Sequence, residues 1–303
     1  MNTEAAVEAL RKTVRLKHLA YSTEKTYAFW LVQFCRFIVT VPIGLSSEQK
    51  IERWLTSLAL ADVSASTQNQ AFNAILFFYR NCLRQELKDI HALRAKRGER
   101  VRRAPAREEV MRMLAALCDS DGYPTTIAVK LLYGCGLRVS EPLNLRVRDV
   151  DIDNSRLTVR GAKGDKDRIV PLPCSLSVQI AAQLKIAIMV SEQDKATGLP
   201  VKLPNRIAQK YPAAQFSRHW AYLFPLRHPC RDPRTGVLVR YRMLDATVQR
   251  AVRRACAAAG VEMMPHELRH AYATHCLNGG QNPRAIQQAI GHKSLETTMP
   301  VLL

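Results

Sequence analysis

The sequence predicts a mainly α-helical protein with one small antiparallel sheet, divided into two domains. Three observations carry that prediction. Aromatic and aliphatic residues recur at helical spacing through residues 22–83 and again from 242 onward. Two short β-branched segments, RLTVR (156–160) and DRIVPL (167–172), flank the glycine-bearing loop GAKGDK. Between the helical regions lies RAKRGERVRRAPAR (94–107), with seven Arg or Lys against one Glu and no apolar periodicity. The expected organisation is a helical domain over 1–93, a basic linker over 94–107 and a second domain over 108–303.

Along the first domain, STEKTYAFWLVQFCRFI opens on Ser22 as its expected cap. It places Tyr27, Trp30, Leu31, Phe34, Phe37 and Ile38 on one stripe. SSEQKIERWLTSLAL repeats the pattern with Ile51, Trp54, Leu55 and Leu58, and SASTQNQAFNAILFFYRNCL adds a helix capped by Ser64 or Ser66. These stripes read as the core of a small bundle. Beyond the linker, EEVMRMLAALC and TTIAVKLLYGCG read as buried helices, followed by the hairpin and a helix over about 174–190. Residues 195–215, KATGLPVKLPNRIAQKYPAAQ, are loop-rich and basic and look inserted. Helices resume at 242–259, 266–278 and 283–290, with no internal repeat and no low-complexity tract.

The unusual quantity is charge: 45 Lys and Arg against 26 Asp and Glu give a net +19 over 303 residues. A chain so basic repels itself, and the excess points to a polyanionic partner, nucleic acid first. An anionic membrane surface is the weaker candidate, because no polybasic amphipathic helix lies beside a lipidation signal. The eight cysteines are scattered without C-x-x-C spacing, and several sit among apolar neighbours, as Cys35 does in LVQFCRFI. That usage suits a reducing cytoplasm. MNTEAAVEALRKTVRLKH lacks an apolar signal core, and no uninterrupted apolar run approaches a membrane-spanning length. The expectation is a soluble cytoplasmic protein, associated with the nucleoid when bound.

PHELRHAYATHC (265–276) contains the zinc-protease signature H-E-x-x-H as His266, Glu267 and His270. On a helix, His266, Arg269 and His270 share a face, so a permanently charged guanidinium would stand between two ligands of a dication. An extended zinc-protease pattern would also want Gly and His where the chain has Ala273 and Cys276, and nothing marks Glu296 as a third ligand. No metal or cofactor is expected. A phosphate suits the face better. Pro265 at the helix start leaves backbone N–H groups for an anion, Arg269 offers a bidentate fork, and His266 offers a hydrogen bond or proton relay.

Further cations point to the same chemistry. Arg138 follows the glycine-flanked break in GCGLRVSE, and otherwise reads as a surface arginine paired with Glu141. Lys163 lies between glycines that permit close approach of another chain, and otherwise reads as an ordinary hairpin tip. His292 follows a helix end at Gly291, and otherwise reads as a capping histidine.

Together, GCGLRVSEPLNL, GAKGDKDRIVPLP, PHELRHAYATH and IGHKSLETTM resemble the conserved boxes of the tyrosine recombinases, or phage integrase family, and the likeness spans nearly the whole chain. It implies an N-terminal helical SAM-like core-binding domain and an α+β catalytic domain. VKLPNRIAQKYPAAQ and FPLRHPCRDPRTGVLVRYRM are similar to the insertion and flank of the integron integrases. The resemblance implies that Arg138 and Arg269 neutralise the scissile phosphate, supported by Glu141. Lys163 would protonate the leaving 5′-oxygen, and His266 and His292 would hydrogen-bond the phosphate or manage the nucleophile's proton. A tyrosine would attack phosphorus to form a 3′-phosphotyrosine, with no metal or ATP required. Linker cations Arg94, Lys96, Arg97, Arg100, Arg102 and Arg103, with Lys202 and Lys210 of the insertion, would contact double-stranded or folded single-stranded recombination-site DNA. A homotetramer would be the working state in synapsis.

One departure matters. The family's tyrosine stands nine residues after the last-box His, a position held here by Val301, and TTMPVLL runs to Leu303 with no tyrosine after Tyr272. The expectation is a C-terminally truncated recombinase that binds DNA without cleaving it. The rival readings are a non-catalytic DNA-binding protein, a type IB topoisomerase-like enzyme and, least, a zinc hydrolase. Tyr272 lies where the family has an aromatic packing residue.

Overall fold

A computed structural model describes residues 2–87, 104–119, 122–162, 166–204 and 207–291. The chain divides into two units, Met1–Val101 and Arg102–Leu303. The expected linker straddles that boundary, and its residues 94–103 lie outside the described residues.

The first unit holds α1 (Thr3–Leu16), α2 (Tyr21–Ile38), α3 (Ser47–Leu60) and α4 (Ala65–Phe78), the last continued by a π-turn over Tyr79–Leu83. Ser64 caps α4 as expected, and Ser46 and Gln49 form a capping box on α3. Ser22 is not a cap. The N-cap is Ala20, two residues earlier, where the Glu24 N–H reaches Ala20 O at 3.1 Å and the buried Glu24 carboxylate is taken by Arg15 at 2.9 Å. Helix α1 fully buries Ala6, Leu10 and Val14, with Val7 packed partly against the core, a stripe too sparse to stand out in the sequence. The expected aromatic stripe is the core: Trp54 packs edge-on to Phe34 and Trp30, with ring centroids 5.1 and 6.1 Å apart.

The second unit begins with α5 (Arg107–Ala115), α6 (Thr125–Gly134) and α7 (Ser140–Asn144). Strands β1 (Val150–Asp151), β2 (Arg156–Ala162) and β3 (Lys166–Pro171) follow as one antiparallel sheet in that order. Leu157 pairs with Val170 and Val159 with Arg168, and the register shifts between Val159 and Ala162. Alternation sends Leu157, Val159, Val170 and Leu172 into the core and leaves Ile169 outside.

Helix α8 (Cys174–Ala196) runs further than the sequence suggests, so residues 195 and 196 of the expected insertion are its last turn. By length and composition α8 is the one helix among the described residues apolar enough to cross a bilayer. Here it packs Leu176 and Ile180 into the unit's core and ends near Asp194, which holds Arg240 through two hydrogen bonds of 2.7 and 2.5 Å. The rest of the insertion folds as α9 (Ile207–Lys210) and a 3₁₀ turn over Pro212–Phe216. It has its own apolar cluster, in which Val201, Leu203 and Tyr222 meet Ile207, Ala214, Trp220 and Tyr241.

Strands β4 (Cys230–Arg231) and β5 (Leu238–Val239) form a second sheet, too short to show alternation in the sequence. Helices α10 (Asp245–Ala259), α11 (Pro265–Asn278) and α12 (Pro283–Ile290) complete the unit. Its main core joins Met113, Leu131, Leu132, Leu143, Leu157, Phe224, Val248 and Leu268. His275 on α11 ties the linker's exit to this core: Nε2 lies 3.1 Å from Pro105 O, and Nδ1 lies 2.9 Å from the Tyr133 hydroxyl.

Candidate active site

Helix α11 begins with Pro265 in its first turn, and the Glu267 carboxylate accepts the Met264 N–H at 2.6 Å. Glu267 is therefore occupied in closing the helix start, turned away from the His266–Arg269 face. His266 is exposed, and its ring lies edge-to-face with His270 at a centroid distance of 4.6 Å. Among the described residues no cluster of three or more His, Cys, Asp or Glu side chains is placed to hold a metal.

One turn further on, Arg269 is buried, at 3% exposure. Its Nη1 donates to Gly136 O at 2.8 Å and its Nη2 donates to Ile290 O. Burial, then the nearby charge of Arg138, lowers its pKa to about 9, with Glu141 pulling the other way, so it stays charged at neutral pH. A guanidinium carries five N–H donors, and the two bonds to carbonyls leave donors for a ligand.

Glu141 on α7 organises the arginines. Its Oε1 accepts from Arg138 Nη1 at 2.7 Å and from Arg168 Nη1 at 3.0 Å. Its Oε2 accepts from the Arg138 N–H at 2.8 Å and from Arg168 Nη2 at 2.7 Å, and lies 3.8 Å from Arg269 Nη1. Burial opposes ionisation of Glu141. Hydrogen bonds from Arg168 and from the Arg138 N–H outweigh it, and hold the carboxyl below its ordinary pKa. Three guanidinium charges against one carboxylate leave the cluster with a net charge of about +2.

Close backbone approach makes this possible. Gly136 sits at φ +61°, and a Cβ there would lie 2.9 Å from Ile290 Cγ2 and collide with the Tyr272 ring. The Tyr272 hydroxyl is raised in pKa first by burial and then by neighbouring Cys276, which suits packing rather than nucleophilic attack.

The structure thus brings together Arg138, Glu141 and Arg269 from separate sequence motifs, and sets His266 one turn before Arg269 on α11. Lys163, His292 and Val301 lie outside the described residues, as do Arg94, Lys96, Arg97, Arg100, Arg102 and Arg103. The backbone leading to His292 is fixed: Ile290 O receives Arg269, and Gly291 closes α12 at φ +64°. Lys202 pairs with the buried Asp232 carboxylate beside β4, so its charge is committed to tying the insertion to that strand. Lys210 is exposed, its ammonium 5.3 Å from the Tyr211 ring centre. Sequence reasoning missed Arg168. The signal was present in DRIVPL, where Arg168, Val170 and Leu172 alternate onto the inward face, and a buried arginine demands an acidic partner.

Comparison with known proteins places both units in one family. Residues 106–300 match the phage integrase family, and residues 7–89 match the phage integrase N-terminal SAM-like domain. An integrase/recombinase of Escherichia coli is 38% identical over 299 residues, 97% of this chain and 87% of that protein. Tyrosine recombinase XerA of Thermococcus kodakarensis is 36% identical over 233 residues, 76% of this chain and 69% of that protein. The crystal structure of a lambda integrase dimer bound to a core site has the same fold: TM-score 0.65, 15% identity, covering 99% of this chain and 95% of that one.

Proposed function

This chain belongs to the phage integrase family, and on that premise we propose that the arginine cluster grips one phosphodiester of a recombination-site DNA. The family supports site-specific DNA recombination as the activity class. The observation that carries the reading is Arg138 and Arg269 held around one carboxylate, with His266 on the same helix start. A net charge of about +2 complements a phosphate whose charge grows as a fifth oxygen approaches phosphorus.

In the reaction the fold is built for, a tyrosine oxygen bonds to phosphorus and the bond to the 5′-oxygen breaks. Arg138 and Arg269 neutralise the phosphoryl oxygens, Lys163 delivers a proton to the departing 5′-oxygen, and His266 and His292 hydrogen-bond the phosphate. Position 301 is valine, which has no nucleophilic atom. This chain therefore binds the phosphate without opening it through that position. The organised insertion around Val201, Leu203 and Trp220 supports the integron type, with folded single-stranded as well as duplex sites as ligands. Exposed Lys210 and the linker cations Arg94, Lys96, Arg97, Arg100, Arg102 and Arg103 suit the DNA backbone. Lys202 suits a positioning role through Asp232, and a homotetramer is the synaptic state.

The test is a nicked suicide duplex incubated with the protein and run on a denaturing gel. No covalent adduct is expected. An adduct that persists in Tyr272→Phe contradicts the reading, and one lost in that variant assigns the nucleophile to Tyr272.

A further inference from the structure

We propose that Arg168 is a positioning residue that sets the geometry of the phosphate clamp through Glu141. The proposal rests on the phosphate-binding reading above and deepens it. Arg168 grips both Glu141 oxygens, Nη1 to Oε1 at 3.0 Å and Nη2 to Oε2 at 2.7 Å, while its Nε donates to Ala289 O at 2.7 Å. Each of its three nitrogens thus donates within the protein, and the side chain is 10% exposed. It acts on the ligand's surroundings rather than on the ligand.

Its placement explains why this residue does the joining. Strand β3 sets Arg168 opposite Val159 on the inward face of the hairpin. From there the side chain crosses to α7 at Glu141 and to the end of α12 at Ala289. The next carbonyl along, Ile290 O, is the one that receives Arg269. Gly291 follows, packed so closely that a Cβ there would lie 3.2 Å from Arg168 Cδ, and it leads into His292. One guanidinium therefore ties together the strand that follows the Lys163 loop, the Arg138–Glu141 turn and the segment entering the last box.

The shape of the group matters as well as its charge. A planar fork meets two carboxylate oxygens and still points a third donor at a carbonyl, whereas an ammonium is a point charge that can face one of them. Without the fork Glu141 keeps only the Arg138 N–H and guanidinium as hydrogen-bond donors, and its carboxylate is set less firmly. The Arg138 guanidinium, which donates to Glu141 Oε1, shifts with it.

The experiment titrates inorganic phosphate calorimetrically into the full chain and into Arg168→Lys, Arg168→Ala and Arg240→Lys, with helical circular dichroism recorded on each. Arg240 is the matched lesion: a similarly buried arginine forked on Asp194, away from Glu141. Arg168→Lys keeps the charge and loses the fork, so both Arg168 variants should bind phosphate about tenfold more weakly. Arg240→Lys should bind within about twofold of the parent, since its lesion leaves Glu141 untouched. Parent-like binding by Arg168→Lys overturns the proposal, as does an equal loss in Arg240→Lys or a loss that tracks vanished helical signal. A parent protein that binds no phosphate overturns the clamp reading itself, and is distinguished by appearing before any variant is compared.

Discussion

Glu141 stops 3.8 Å short of Arg269, while it hydrogen-bonds Arg138 and Arg168 directly. Arg269 instead spends donors on the carbonyls of Gly136 and Ile290. It is consequently the guanidinium that Glu141 neutralises least, buried at 3% exposure beside an Arg138 side chain that is 26% exposed.

Replacing Arg269 separates its structural and binding roles. Arg269→Ala leaves two buried carbonyls without their donor and should cost about 2–4 kcal/mol in urea unfolding. If the guanidinium also meets a DNA phosphate, fluorescence anisotropy across a salt series should show the log–log slope falling by about one. An unchanged slope in a folded variant would remove Arg269 from the DNA contact.

Gly136→Ala should be more harmful than most surface changes. Its φ of +61° disfavours any Cβ, and the added atom would meet Tyr272 and Ile290. A loss of about 2 kcal/mol or more is expected, read as a lower urea midpoint. A variant as stable as the parent would show that the Gly136–Tyr272 packing is looser than described.

Acid should dissolve the cluster through Glu141. Its folded pKa lies below the ordinary value, which for an unfolded Glu is about 4.3. The folded state therefore holds this proton more weakly than the unfolded state. The stability from Glu141 is present above that unfolded pKa and is lost as pH falls through the lower folded value. Glu141→Gln should be destabilised by about 3 kcal/mol near neutral pH, and the gap to the parent should close below about pH 4. A gap independent of pH would mean that the carboxylate's charge is not what stabilises the cluster.

The zinc signature is tested by elemental analysis and by melting with and without zinc. No stoichiometric zinc and no shift in Tm are expected, because Glu267 closes the helix start and Arg269 lies between the two histidines on one face. A 1:1 metal content that His270→Ala abolishes would reverse that conclusion.

Much of this molecule was legible in the sequence because its signals are local. The Trp30–Phe34–Trp54 stripe, the 156–172 hairpin and the 283–290 helix ending at Gly291 follow from spacing and end signals alone. Helix α1 was not, since Ala6, Leu10 and Val14 bury too little surface to mark a face. Strands β1, β4 and β5 are two residues each, shorter than any alternation. In the site, Arg138 and Arg269 were legible from their motifs. Glu141's role as a hub was not, because it depends on Arg168 arriving from β3, a contact 27 residues away that only the folded sheet creates. Lys202 shows the same limit in reverse: a basic residue in a basic segment, yet committed to Asp232.

The most direct test of the central claim is a crystal structure determined with inorganic phosphate. One phosphate is expected within hydrogen-bonding distance of the Arg138 and Arg269 guanidiniums and the His266 ring. A structure in which phosphate binds elsewhere while Arg138 and Arg269 keep only their present protein partners would contradict it.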